Sequence, residues 1–177
     1  MMPPPLRAAA RLGVTARPMR DDEDLPFAAA LYASLRAEEV AATGLPEAQQ
    51  RAFLDQQHRA QHAHYRRHYT TAEWLILERD GTRIGRLYLD EWTREFRVVD
   101  ISLVEGSRGL GIGGAILADI IAAARAAGKG VSIHVEKHNP ARHLYERLGF
   151  AVAEDKGVYD LMEWGMERPS DEGRLGS

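Results

Sequence analysis

One stretch constrains the fold of this chain more than any other. Arg97-Val98-Val99-Asp100-Ile101-Ser102-Leu103-Val104 reads as a strand that is nearly apolar on one face. It runs into Glu105-Gly106-Ser107-Arg108-Gly109-Leu110-Gly111-Ile112-Gly113-Gly114, and a helix then spans Gly111 to Ala127. If the strand is regular, Val99, Ile101 and Leu103 share a face, with Asp100 and Ser102 on the other. In the helix, Ile116, Ile120, Ala123 and Ala127 form one stripe at helical spacing. Gly128 and Gly130 stop it. Glycines at such a turn let backbone N–H groups approach a ligand closely, and the helix that follows aims its positive end at the same place. That combination suits a pyrophosphate, with Arg108 adding charge or bracing the loop. Two better-known glycine loops do not fit. The spacing is Gly109-x-Gly111-x-Gly113 rather than G-x-G-x-x-G, it lies well inside the chain, and no Gly-Lys-Ser/Thr follows. A tight turn with no ligand is the plainer alternative.

The rest of the chain supplies a sheet around this unit. Val14 to Met19 is a candidate first strand, and the acidic Asp21, Asp22 and Asp24 open a helix running to about Val40. Gly44 and Pro46 break it, and Glu47 to about Tyr69 forms a second helix with few large apolar residues, expected to be exposed or to line a polar cleft. Glu73–Arg79 and Thr82–Leu89 read as a hairpin around Asp80-Gly81. Val131–Val135 is a strand, Pro140–Leu148 a helix with Asn139 as N-cap, and 150–153 and 158–164 are closing strands. The sum is a mixed α/β or α+β sheet with helices packed on its faces. Residues 1–13, with three consecutive prolines, read as a frayed tail, 14–168 as a single domain, and 169–177 as a flexible tail.

Composition removes several function classes. The chain has 177 residues, 45% of them hydrophobic and 28% charged, which is ordinary for one globular domain. A formal charge of −3 argues against a dedicated nucleic-acid binder. The absence of cysteine excludes a disulfide scaffold, a thiolate zinc site and a cysteine nucleophile. Nothing approaches an apolar run long enough to span a membrane, and Met1-Met2-Pro3-Pro4-Pro5 lacks the apolar core of a signal peptide. A cytoplasmic protein is the expectation.

Two motifs in this order resemble the GNAT superfamily of N-acetyltransferases. That family carries Arg/Gln-x-x-Gly-x-Gly/Ala at a strand-to-helix turn, and here stands Arg108-Gly109-Leu110-Gly111-Ile112-Gly113. Asn139-Pro140-Ala141-Arg142-His143-Leu144-Tyr145-Glu146-Arg147-Leu148-Gly149-Phe150 is similar to the family's Asn-x-x-Ala/Ser-x-x-Leu-Tyr-x-x-x-Gly-Phe, with the alanine one residue early. The likeness is sharp from about 100 to 150 and extends over 14–164 by element order.

The resemblance implies a GNAT-like, mostly antiparallel sheet, splayed between its fourth and fifth strands, with helices on both faces. It implies acetyl-CoA as co-substrate, no metal, and acetyl transfer to an amine by direct attack. Arg108, Gly109, Leu110, Gly111, Ile112, Gly113 and Gly114 would form the pyrophosphate loop, with the N–H groups of Leu110 to Gly114 as donors. The backbone of Leu103 and Val104 would pair with the pantetheine arm, a backbone N–H near Val104 would polarise the thioester carbonyl, and Asn139 would contact the cofactor. Tyr145 would protonate the leaving thiolate, although taken alone it reads as an amphipathic core tyrosine. The acceptor would be a small-molecule or protein amine, and a homodimer through sheet edges is within the family's range.

The base is not evident. The family's usual acidic or histidine positions fall near Arg97 and Val99, neither of which can serve. Asp100 is adjacent, and a bulge would turn it toward the cleft; it could equally make a structural ion pair, or a water relay could replace a base. His134 and Glu136 share a strand face and would line the cleft on the substrate side if the strands splay, or form an ordinary sheet-face pair. His58/His62 and His64/His68 have a spacing that can hold a metal, but they lie on different helix faces with too few carboxylates, so no metal site is assigned. A non-catalytic acyl-CoA-binding or sensing module is the second reading, and an interaction domain that keeps only the fold is the third.

Overall fold

The computed structural model of the chain describes residues 3–166. After a short helix α1 (Arg7–Arg11) come β1 (Val14–Pro18), α2 (Asp21–Ala41), α3 (Glu47–His68), β2 (Glu73–Arg79), β3 (Thr82–Glu91) and β4 (Glu95–Leu103). They are followed by α4 (Ile112–Ala127), β5 (Gly130–Glu136), α5 (Arg142–Arg147), β6 (Ala151–Asp155) and β7 (Tyr159–Trp164). The seven strands form one sheet in the order β1-β2-β3-β4-β5-β7-β6, as a mixed fold with helices on both faces. Every neighbouring pair is antiparallel except β4 and β5.

The two faces of the sheet differ in chemistry. On one, Leu75, Leu87, Leu89, Val98 and Ile133 pack against Ile116, Leu117 and Ile120 of α4 in the main core. The other face carries Trp74, Arg86, Tyr88, Arg97 and Asp100, and α3 lies over it, with the Arg66 guanidinium 4.5 Å from the Trp74 ring and Tyr65 edge-on to Tyr88. As the sequence leads one to expect, α3 has only Leu54 and His58 fully buried.

The N-terminal segment departs from expectation. Residues 7–11 form a helix rather than a frayed tail, and Ala9 is wholly buried against the core. A short helix needs its first N–H groups satisfied. Asp119 of α4 does so, accepting from Ala8 N–H at 2.8 Å and Ala9 N–H at 3.0 Å. The tail expected over 169–177 and the domain limit at 168 lie outside the described residues. α5 is shorter than 140–148, because Pro140 and Ala141 form a turn ahead of it.

Candidate functional site: a fork between two strands

The parallel pairing of β4 and β5 is brief. It runs from Glu95↔Gly130 to Val98↔Ile133 and ends there. Beyond it the two strands part, so Ile101 and Leu103 on one side and His134 to Glu136 on the other border a slot. β5 stays in the sheet through β7, where Glu136 pairs with Tyr159. β4 stays through β3, as far as Gly85↔Leu103.

The fork begins at a β-bulge. Tyr88 faces Asp100 while Leu89 faces Val98, leaving Val99 without an opposite residue. The extra residue changes which side chains share a face. Val98, Ile101 and Leu103 now point into the core, while Arg97, Asp100 and Ser102 point to the polar side. In a regular strand Asp100 would lie on the face of Val98, which is 1% exposed.

The same pairing aims the backbone. Val104 N–H donates to Ile84 O at 2.8 Å, so the N–H near the thioester cannot be Val104's own. Antiparallel pairs alternate between bonded and outward-facing residues. Ser102 and Asp100 therefore turn their backbone groups to β3, and Ile101 and Leu103 turn theirs to the slot. Leu103 O is taken by Arg108 Nε–H at 2.9 Å, which ties the loop back to the end of the strand. Of the two roles open to Arg108, the geometry has it bracing the loop.

At the loop's end Gly109 and Gly111 have φ of +73° and +80°, a region that disfavours any side chain. Space is not the constraint there, since a Cβ on either would meet nothing within 4 Å. Gly113 has ordinary φ, and its nearest neighbour would be Leu144 at 3.9 Å. The first backbone bond into the helix is Ala115 N–H to Gly111 O at 3.0 Å. The N–H groups of Ile112, Gly113 and Gly114 precede it and have no intrahelical acceptor. Together they make an anion cradle beside the mouth of the slot.

Tyr145 of α5 is packed into the main core, near enough to Asp100 to feel its charge. Its ring is 5% exposed and lies edge-on to Phe150 at 5.9 Å. Burial, and then the negative charge of Asp100, push its phenol up to about 12, so it carries its proton throughout the neutral range. Asn139 is not the N-cap of α5, because the helix starts later and Ala141 takes that position; Asn139 instead closes the turn ahead of it, with Oδ1 accepting from Ala141 N–H at 2.9 Å and its carbonyl from Arg142 N–H at 3.0 Å.

Asp100 is not free. Arg86, 1% exposed, reaches it with Nε at 3.3 Å and a terminal nitrogen at 3.0 Å, and Ser102 donates at 2.6 Å. The same guanidinium donates to Gln61 of α3 at 2.9 Å. Glu136 meets Arg36 of α2 at 2.9 Å. His134 Nδ1 lies 3.5 Å from Arg97, and burial, followed by that guanidinium, pushes its imidazole below the ordinary range. His134 and Glu136 lie on β5 beyond the end of its pairing with β4, each with a cationic neighbour. His64 and His68 face away, with rings 4.1 Å apart. Among the described residues no cluster of three metal-ligating side chains occurs.

Sequence reasoning missed Arg86 and Arg36, whereas Gln61 and Tyr65 lie on the helix expected to be exposed or to line a polar cleft. Arg86 alternates with Tyr88 in a strand that otherwise reads as plain hairpin, and only the register with β4 places it on Asp100.

The fold and one family are recognisable among known proteins. The profile of the acetyltransferase (GNAT) family matches residues 32–150. PaiA N-acetyltransferase from Thermoplasma acidophilum, solved with coenzyme A, superposes with a TM-score of 0.63 at 16% identity, over 85% of this chain and 98% of that one. A GNAT family acetyltransferase from Elizabethkingia anophelis with acetyl-CoA bound gives 0.54 at 18%, over 87% and 99%. Naa50 from Arabidopsis thaliana, in complex with the bisubstrate analogue CoA-Ac-MVNAL, gives 0.56 at 12%, over 85% and 97%. No curated protein matches the chain by sequence.

Proposed function

The chain belongs to the GNAT acetyltransferase family, and from that premise we propose that it transfers the acetyl group of acetyl-CoA to a primary amine by direct attack. The observation that carries the reading is the fork, where β4 stops pairing with β5 and leads into a row of helix-terminal N–H groups, with a buried phenol on α5 near enough to feel the charge of Asp100. Acetyl-CoA supplies an acyl group activated as a thioester. The N–H groups of Leu110 to Gly114 hold its pyrophosphate, with Arg108 keeping the loop in place. The outward backbone of Ile101 and Leu103 binds the pantetheine arm, and one of their N–H groups polarises the carbonyl. Val104 contributes at the mouth of the slot, and Asn139 sets the turn that aims α5.

Tyr145 donates a hydrogen bond to the sulfur as charge develops on it. A phenol near 12 holds its proton more tightly than a thiol, which is near 8.5 for a cysteine. Its contribution is therefore a donated hydrogen bond that lowers the barrier, and the departing thiolate takes its proton from water. Asp100, held by Arg86 and Ser102, orients a water that accepts the amine's proton. No covalent intermediate on the protein is needed.

The test is direct. Mixed with acetyl-CoA and a broad amine panel, the protein should release CoA thiol only when an amine is present, with the acetylated product seen by mass. The sum of spent carboxylates and depressed histidines favours one rival reading, a non-catalytic acyl-CoA-binding module. Tight acetyl-CoA binding with no transfer to any amine would establish that rival instead.

A further inference from the structure

The chemical kind of acceptor follows from how the charges beside the fork are spent. This inference rests on the transferase reading. On β4 and β3, Asp100 is held by Arg86 at 3.0 Å. Between β5 and α2, Glu136 is held by Arg36 at 2.9 Å. Between α2 and α3, Asp21 is held by Arg66 at 2.6 Å and approached by His62 at 3.7 Å. Glu95 and Arg97 meet through the hydroxyl of Ser132, which accepts from Arg97 Nε at 2.7 Å and donates to Glu95. On β7, Asp160 is taken by Arg142 at 2.7 Å, with Lys137 at 3.9 Å. Toward the edge of the sheet, Glu154 lies beside Lys156 at 3.8 Å.

An acceptor that arrives as an alkylammonium needs two things from such a site. It needs an uncommitted carboxylate to replace its lost hydration, because a buried charge without a partner is costly. It then needs a base strong enough to remove a tightly held proton. Among the described residues the parted strands offer neither: their carboxylates, Asp100 and Glu136, already face cations, while Asp90 and Glu95, on the paired part of the sheet, are bonded to the hydroxyls of Thr71 and Ser132. The imidazoles, His58, His62 and His134, are pushed below the ordinary histidine value, first by burial and then by Arg86, Arg66 and Arg97 in turn. The remaining groups are phenols, with Tyr65 and Tyr88 pushed up by burial.

We propose that the acceptor is a weakly basic primary amine of the peptide α-amino kind, and not a strongly basic alkylammonium such as a lysine side chain or a polyamine. An α-amino group, with a pKa near 7.7–8.0, is about one-third neutral at pH 7.5, whereas a lysine amine near 10.4 is neutral to only about one part in a thousand. For the first, the amine enters already neutral, and the site has only to accept the proton released on attack, which the water oriented by Asp100 can do.

The experiment uses the wild-type protein with saturating acetyl-CoA at pH 7.5 and pH 9.5. The acceptors are an unblocked tripeptide without lysine, an amino-acid amide, an N-acetyl-lysine amide and spermidine. Release of CoA thiol gives kcat/KM for each. The expected result is that the tripeptide or the amide exceeds both alkylamines by at least about tenfold at pH 7.5. The gap should narrow by about thirtyfold by pH 9.5, as the neutral fraction of the alkylamine rises from about one part in a thousand to about one part in nine. Tripeptide over amide points to a protein or peptide N-terminus, and comparable rates to a small molecule. Lysine or spermidine equal or faster at pH 7.5 overturns the inference and leaves the transferase reading standing. No release with any of the four, while acetyl-CoA binds, overturns both.

Discussion

The two sides of the fork are built from different material. The side proposed to hold the cofactor is made of backbone: outward N–H groups on β4, helix-terminal N–H groups after Gly111, and the carbonyl of Leu103 tied to Arg108. The acceptor side is made of side chains, with Arg86, Asp100, Gln61, Arg36 and Glu136 drawn from α2, α3, β3, β4 and β5. A backbone site needs little beyond glycines and a strand that stops pairing, so many sequences can build it. A side-chain site depends on the register of several elements at once, and it is there that a chain of this family specifies its own acceptor.

Four experiments probe that contrast, from the largest effect to the smallest. Arg86→Met leaves Asp100 without its cation in a mostly buried position, and should cost about 3 kcal/mol of stability in urea unfolding. An unchanged midpoint would mean that the pair is not holding the acceptor side together. Tyr145→Phe removes the hydroxyl and keeps the ring against Phe150. It should lower kcat by roughly a hundredfold while leaving acetyl-CoA affinity within about twofold. In wild type no alkaline limb from Tyr145 should appear below pH 11, since its phenol sits at about 12.

The third experiment is a pH series. His58 is pushed down to about 4 by burial and by Arg86, from an ordinary value near 6.5. Between those values the unfolded chain binds the extra proton and the folded protein does not. The stability His58 contributes is therefore complete above about pH 6.5 and is lost as the pH falls toward 4. Asp24, held at about 2 by Arg17, acts in the same sense at still lower pH. His58→Gln should flatten the slope between pH 6.5 and 4 and leave the lower part unchanged. Fourth, Asn139→Ala removes one hydrogen bond from the turn ahead of α5 and should cost about 1 kcal/mol. A drop in acetyl-CoA affinity larger than the stability loss would place Asn139 in direct contact with the ligand.

The same contrast explains what could be read from the sequence. The glycine loop, the long apolar helix and the Asn139 to Phe150 motif are local, because a few adjacent residues determine their geometry. The mostly antiparallel sheet and the splay between its fourth and fifth strands followed from the resemblance those motifs carried. Three features were out of reach. α1 is held by Asp119, more than a hundred residues away, so its alanines looked like tail. The bulge at Val99 has no residue signature of its own, and it is what puts Val98 on the core side with Ile101 and Leu103 while Asp100 lies opposite them. The Arg86–Asp100 pair needs that bulge and the β3–β4 register together, so neither residue announces the other.

The central claim is that a backbone cradle after β4 holds acetyl-CoA, and calorimetric titration of wild type and Gly113→Glu tests it most directly. Gly111 would be the poorer choice, because its φ of +80° strains any side chain. Gly113 has ordinary backbone and open space, and an acidic residue in the first turn of a helix is tolerated or mildly stabilising. The account predicts saturable micromolar binding to wild type and loss of at least about a thousandfold in the variant, whose melting temperature stays within a few degrees. Equal binding by both proteins, or none by folded wild type, would contradict it.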